Sequence, residues 1–361
     1  MIDDHAHPFP GQFTPLQLAD ISLDVRTGEG ADGRRRTLAP GRLSTELLVN
    51  RLAAYLQCDP PDVPAARDAR AARDWQQHVR TLVADAGLTG FLMDAPAGFD
   101  REQCAALAGV PVWELARAEP VIDSLLAAGA SAREVIAAMD EFMAESAARG
   151  VAGFKTVIAY RTGLAVDPGA SLAEASRSLE PDLPVRRRGK ALRDLVLRRM
   201  LGAADDLGLP VQVHTGYGDS DLRLAEADPL LLEEVLRTPE GEAATVVLIH
   251  GSFPWHDQAA YLASVKPNLY TEISLSTLFS PVMAADRLLR LLDTAPAERI
   301  LAGTDGHGPP ETHWFAAGTL ARALDRAATV LSDAGARPGW LRQVRRLLLE
   351  ENARRVYRLQ S

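Results

Sequence analysis

Met1-Ile2-Asp3-Asp4-His5-Ala6-His7 opens the chain and ends in two histidines one residue apart. Residues two apart on a strand point to the same side, so both imidazoles can reach one ion. Neutral imidazole is a common ligand for zinc and its neighbours. Seven further strand-like runs follow, at residues 90–94, 110–115, 151–159, 210–214, 245–250, 268–273 and 299–305. Helical stretches separate them. Residues 132–149 carry Val135, Ile136, Met139 and Phe142 at helical spacing, and 192–207, 229–236 and 258–264 read similarly. Two or more helices follow the eighth run, ending in residues 340–357. Strands alternating with helices imply a parallel sheet with crossover helices. Eight of them fit a closed (β/α)8 TIM barrel better than an open sheet, and we read residues 1–361 as one such domain.

Two long insertions interrupt the alternation, at about residues 9–73 and 162–190. The first contains a helix around residues 43–56; the second reads as loop. Loops that follow barrel strands gather on the C-terminal face, where active sites form, so both insertions are candidate lids or substrate walls.

The same geometry applies to the other polar strand ends. His214 closes the fifth run, His250 the sixth and Asp305 the eighth. A barrel brings the C-terminal ends of its strands into one ring, so four imidazoles and a carboxylate converge where catalysis is expected. Core filling does not explain histidines and a carboxylate placed in this way.

Composition narrows the class. The chain has 361 residues, 47% hydrophobic and 24% charged, with a net charge of −9, which suits a globular protein with a large core. The arginine triplets at 34–36 and 186–188 are short and lie in loop-like sequence, so they read as solvated surface and no nucleic-acid partner is expected. Cys58 and Cys104 form neither a disulfide framework nor a metal motif, which suggests a reduced, cytoplasmic protein. The N-terminus has no basic segment followed by an apolar one, so no signal peptide is expected. No apolar run is long enough to span a bilayer, so no membrane association is expected.

The pattern of His-x-His on strand one, His on strands five and six and Asp on strand eight resembles the amidohydrolase superfamily. Within it the chain resembles the amidohydrolase-2 branch. Three stretches, Gly153-Phe154-Lys155-Thr156-Val157-Ile158-Ala159-Tyr160-Arg161-Thr162-Gly163-Leu164, Glu351-Asn352-Ala353-Arg354-Arg355-Val356-Tyr357 and Arg117-Ala118-Glu119, resemble the FluG/nodulin-type domain of glutamine-synthetase-like fusion proteins. The resemblance implies a divalent metal on His5, His7, His214 and Asp305, with zinc first and manganese or iron as alternatives. One ion is favoured over two. In dinuclear members of the superfamily a strand-four lysine carboxylated by CO2 bridges the ions, a role Lys155 could fill. It could equally stay a cation that pairs with a substrate carboxylate or with Asp305.

Chemistry suggests the remaining roles. Asp305 can act as general base and acid, and His250 can polarise a carbonyl or hold an oxyanion. Arg161, Tyr160 and Arg117 are candidates for an anionic substrate group, because the planar fork of Arg fits a carboxylate. Glu119 could recognise an amine. Trp255, with His256, could wall a pocket, and His307 could support the site. Glu272 is a candidate supporting partner, and His78 and His313 read as structural. The resemblance implies metal-dependent hydrolysis of a small-molecule amide or isopeptide bond, and its likeness to synthetase-fused proteins makes a γ-glutamyl amide the substrate guess. The alternatives are a metal-dependent decarboxylase of an aromatic or enoic acid, or a non-catalytic partner of a glutamine-synthetase-like ligase. Candidate partners are the small-molecule substrate, a second copy of the chain and such a separately encoded ligase.

Overall fold

Eight short strands, each followed by helical or turn structure, form one parallel sheet in chain order: β1 Ile2–Ala6, β2 Gly90–Asp94, β3 Val112–Arg117, β4 Gly153–Thr156, β5 Val211–His214, β6 Val246–Ile249, β7 Leu269–Ile273 and β8 Ile300–Ala302. This computed structural model describes residues 1–23, 37–96, 98–184 and 187–360. The triplet Arg34 to Arg36 and Arg186 of the second triplet lie outside them. The ends of the sheet meet just beyond β8. The Asp305 N–H donates to the His5 carbonyl (2.8 Å) and the His7 N–H to the Gly306 carbonyl (2.9 Å), closing the barrel at its C-terminal rim. Asp3 reinforces this seam, accepting from the Thr304 N–H (2.8 Å) and the Thr304 hydroxyl (2.5 Å).

Alternation along each strand divides the side chains into two sets. Phe91, Met93, Phe154, Val211, Val213, Val246 and Leu248 pack outward with apolar residues of the surrounding helices. Ile2, Leu92, Leu115, Val247, Ile249, Tyr270 and Leu301 form a separate cluster with Ala353, Val356 and Tyr357 of the C-terminal helix Asn352–Val356 and its end. Asn352 anchors that helix by donating to the Ala297 and Ile300 carbonyls (2.8 and 2.7 Å). In the same alternation, Asp94, Arg117, Lys155, His214 and Glu272 take the C-terminal ends of the strands. One end of the barrel is therefore packed with hydrocarbon and the other is ionisable.

All eight expected strands are present, and four readings of local structure need correction. β4 stops at Thr156, not at residue 159, because the Thr156 hydroxyl accepts the Ile158 N–H (3.1 Å) and starts the helical turn Ile158–Arg161. Residues 229–236 form two short turns, Pro229–Leu232 and Val235–Arg237, instead of one helix. Pro239 disfavours helical backbone at Thr238 and cuts the segment short. The 162–190 insertion is not all loop, since a Ser171/Glu174 capping box sets the helix Leu172–Arg177. Nor do its described residues wall the cavity described below. Leu164, Val166 and Ala175 bury it against the outer helices.

The first insertion contains the expected helix Leu43–Leu56, followed by Val63–Ala71, and is pinned through a buried ionic trio. Arg67 donates to both oxygens of Glu311 (2.7 and 3.3 Å) and to the Thr14 carbonyl (2.6 Å), and His78 bonds the same carboxylate (2.7 Å). Glu311 opens the long helix Glu311–Asp333 after β8, so the trio ties the insertion to the end of the barrel. Among the described residues, no helix is long and apolar enough to cross a membrane.

Candidate metal centre and active-site cavity

His5, His7 and Asp305 converge on one point at the rim of the barrel. The His5 and His7 Nε2 atoms lie 3.4 and 3.3 Å from Asp305 Oδ1. A tetrahedral ion with ligand arms of about 2.0–2.1 Å separates its donors by about 3.3 Å, so both of these separations match the edges of such a site. The protein also sets which nitrogen each imidazole offers. Nδ1 of His5 is 2.8 Å from Gln212 Oε1 and Nδ1 of His7 is 2.9 Å from the Asp94 carbonyl. Both partners accept, so Nδ1 carries the hydrogen and Nε2 keeps its lone pair for a metal.

Asp305 Oδ1 is buried and has no hydrogen-bond partner among the described residues. Burial alone would push its carboxyl up, but His250, His5 and His7 outweigh this and hold it well below the ordinary value. Burial lowers His5 to about 4 and takes His214 and His250 well below their ordinary value. Lowered values keep His5, His214 and His250 neutral beside the Asp305 carboxylate, as metal binding requires of its ligands. Asp305 and His250 both adopt positive φ (50° and 69°), a conformation non-glycine residues rarely hold, and such strain concentrates at functional sites.

His214 joins from β5. Its Nδ1 lies 3.0 Å from His250 Nε2, and its buried Nε2 has no partner among the described residues. It is not one of the three residues whose donor atoms already cluster, but it lines the same cavity.

That cavity measures about 820 Å³. Pro8, Pro10 and residues 14–17 of the first insertion wall one part of it; Gly218, Asp219 and Asp221 after β5 form another. Lys155 lines it with its Nζ buried and unpartnered among the described residues. Burial lowers that amine to about 8, partly offset by Asp94. Arg117 also faces the cavity but is ion-paired with Asp94, and Arg161 is paired with Asp123 (2.9 Å). Tyr160 reaches the wall, where its oxygen accepts the Asp219 N–H (3.2 Å), and burial pushes its phenol up so that it stays protonated. His307 lines the cavity with its ring nitrogens 3.0 Å from the Asp305 and Ser22 carbonyls.

Glu119 and Trp255 are not among the lining residues. Glu119 is buried against the Thr156 hydroxyl (2.6 Å), and Trp255 packs on the outer apolar cluster. Both nitrogens of His250 are occupied within the protein, by His214 and by Ser274 (2.8 Å). The residues that sequence reasoning passed over are Asp94, Gln212 and Ser274. The first two stand on the inward face of their strands, a parity that the strand runs already contained.

Residues 2–359 match the family model described as Amidohydrolase. Protein fluG of Emericella nidulans is 30% identical over 371 aligned residues, covering 90% of this chain and 42% of its own length. The chain thus spans about two fifths of that relative. Among solved structures, a proposed metal-dependent hydrolase of Lactobacillus casei ATCC 334 superposes with a TM-score of 0.86 at 24% identity, covering 99% of this chain and 95% of that one. A uronate isomerase of Bacillus halodurans C-125 does so at 0.65 and 14%, covering 100% and 93%. At these identities the structural likeness is one of fold.

Proposed function

The chain belongs to the amidohydrolase family, and from that premise we propose that it is a metal-dependent hydrolase of an amide or isopeptide bond in a small molecule. The observation that carries this is the triad of His5 Nε2, His7 Nε2 and Asp305 Oδ1, spaced for one ion at the edge of a substrate-sized cavity. His5, His7, Asp305 and, through Nε2, His214 would hold a divalent ion, for which zinc is our first choice. Such an ion would supply Lewis acidity and lower the pKa of water to about 7.

The rest falls to the chain itself. Asp305 is ionised and can take a proton from the attacking water and return it to the leaving amine. His250 has both nitrogens engaged, so the groups placed to stabilise a developing oxyanion are the Lys155 ammonium and the Tyr160 hydroxyl. Arg117, fixed on Asp94, adds positive charge beside Lys155, its register partner across β3 and β4. Pro8, Pro10 and Leu16 give the wall apolar surface that limits water around the reacting bond.

A γ-glutamyl amide is the substrate we favour. Its head carries a carboxylate and an ammonium, and the cavity lining carries both the cations Lys155, Arg117 and Arg161 and the carboxylates Asp219 and Asp221. The resemblance of residues 153–164 and 351–357 to the amidohydrolase domain of glutamine-synthetase-like fusion proteins is the reason to test this class first. The test is zinc-loaded protein against a panel of γ-glutamyl amides in ¹⁸O-water, with metal analysis and intact mass. We expect amine release, ¹⁸O in the new carboxylate and one ion per chain. Release of CO2 without solvent oxygen in the product would replace the hydrolase reading with a lyase. A mass gain of one CO2 would mark Lys155 as carboxylated and favour two ions.

A further inference from the structure

The buried face behind His214 holds an ordered chain of hydrogen bonds whose directions can be worked out from one end. Glu272 Oε2 accepts the backbone N–H of His250 (2.8 Å) and lies 3.0 Å from the Ser274 hydroxyl. A backbone N–H can only donate, and a carbonyl-type oxygen accepts better than a carboxyl hydroxyl, so two donors on Oε2 place any proton of the carboxyl on Oε1. The Ser274 hydroxyl must therefore donate to Oε2. Its oxygen is left to accept from His250 Nδ1, 2.8 Å away. Asp305 Oδ2 does not compete for that nitrogen, being 3.9 Å off, beyond hydrogen-bond range.

A neutral His250 with hydrogen on Nδ1 has its lone pair on Nε2. That lone pair faces His214 Nδ1 at 3.0 Å, so His214 carries its hydrogen there. The remaining atom, His214 Nε2, is then a bare lone pair, buried, unpartnered among the described residues and on the wall of the metal cavity. Every side chain in this hydrogen-bond chain is buried: Glu272 and Ser274 are 0% exposed, His250 2% and His214 5%.

We propose that Ser274 is a positioning residue that, through His250, fixes the His214 tautomer so that Nε2 is presented as a metal donor. His250 then acts on the ligand and not on the substrate. Without the Ser274 hydroxyl, no acceptor within hydrogen-bond range holds the hydrogen on His250 Nδ1. If it moves to Nε2, that atom donates to His214 Nδ1 and pushes the His214 hydrogen onto the very nitrogen the metal needs. Partners of this kind change metal affinity by about 10- to 100-fold. The proposal rests on the metal-centre reading, but its first measurement needs neither metal nor turnover.

The experiment uses the full chain with ¹⁵N-labelled histidine, stripped of metal, at pH 8. Long-range ¹H–¹⁵N correlation spectra should show His214 protonated on Nδ1 and bare on Nε2. A hydrogen on His214 Nε2 in the wild-type protein overturns the proposal, even if every variant fails to fold. In Ser274→Ala the two His214 nitrogens should exchange character, and zinc affinity, read by chelator competition, should fall about 10- to 100-fold. Ser274→Thr, which keeps the hydroxyl, should restore both. Glu272→Gln keeps an acceptor oxygen for Ser274 and should leave the tautomer in place. Zinc affinity within twofold of wild type in a folded Ser274→Ala overturns the proposal. Wild-type protein with the expected tautomers but no amide hydrolysis would count against the activity proposed above and leave this assignment standing.

Discussion

Removing Arg67 should cost more than any surface arginine and should be rescued by removing its partner as well. Glu311 is fully buried and its carboxylate takes three hydrogen bonds, two from Arg67 and one from His78. Arg67 is equally buried, its guanidinium about 5.1 Å from the Trp75 ring. Truncating one partner of a buried pair leaves an uncompensated charge and costs about 3–5 kcal/mol. Arg67→Met keeps the apolar stem but leaves Glu311 with His78 alone, and Glu311→Leu strands the guanidinium with Asp68 and the Thr14 carbonyl. The double variant removes both charges, and replacing a buried pair by apolar residues is often neutral or stabilising. Urea unfolding followed by tryptophan fluorescence gives each free energy. We expect Arg67→Met to cost about 3–5 kcal/mol, Glu311→Leu less because Asp68 still pairs the guanidinium (3.0 Å), and the double well under their sum. Additivity within about 0.5 kcal/mol would refute the reasoning. The pH dependence supplies a second arm. Burial alone would raise the Glu311 carboxyl, but His78 and Arg67 hold it below its ordinary value of 4.5. Its contribution is thus fully present above pH 4.5 and is lost as pH falls through the folded-state value. The double variant should lack this acid-side loss.

Asp305→Asn should keep the fold by circular dichroism but lose stoichiometric zinc by elemental analysis, because the neutral amide removes the one anionic donor of the triad. Retained stoichiometric zinc would exclude Asp305 as a ligand. Tyr357→Phe removes the hydroxyl that accepts from Gln212 (2.7 Å), and Gln212 in turn orients His5. It should cost about 1–2 kcal/mol in denaturation and weaken zinc binding about tenfold; unchanged affinity would place Tyr357 outside the support of the site. Burial pushes the Cys104 thiol up to about 12 from 9.0, so native protein at pH 8 should leave it unalkylated by iodoacetamide while unfolded protein reacts. The raised value makes its contribution full below pH 9 and lost as pH climbs toward 12, so peptide mapping should find Cys104 labelled only on the alkaline side or after unfolding.

The barrel and the candidate metal triad were legible in the sequence for one reason: the apolar runs end in ionisable residues, and a closed parallel sheet gathers those ends. His5, His7 and Asp305 need no more than that. His250 was harder, because its sequence position is that of a substrate-facing residue and only ring orientation reveals that Ser274 and His214 occupy it. Asp94 and Gln212 drew no role from the sequence although they share inward parity with Lys155 and His214. The second insertion was misjudged because its turn-rich composition hid Leu164 and Val166, which bury it on the outer face, and the Ser171/Glu174 cap was readable but passed over. Membership of the amidohydrolase family, read first from the motif, holds across residues 2–359.

The seam of the barrel has a mechanical consequence. His5 and Asp305 stand on either side of the join between the first strand and the segment after the last, so an ion held by both is a clasp across a loop of about 300 residues, for which chain-entropy arguments allow up to about 5–6 kcal/mol. Chelation should therefore do more than silence a reaction: it should let the amino-terminal strand peel from its neighbours first, with hydrogen exchange rising at residues 2–7 before the remaining strands.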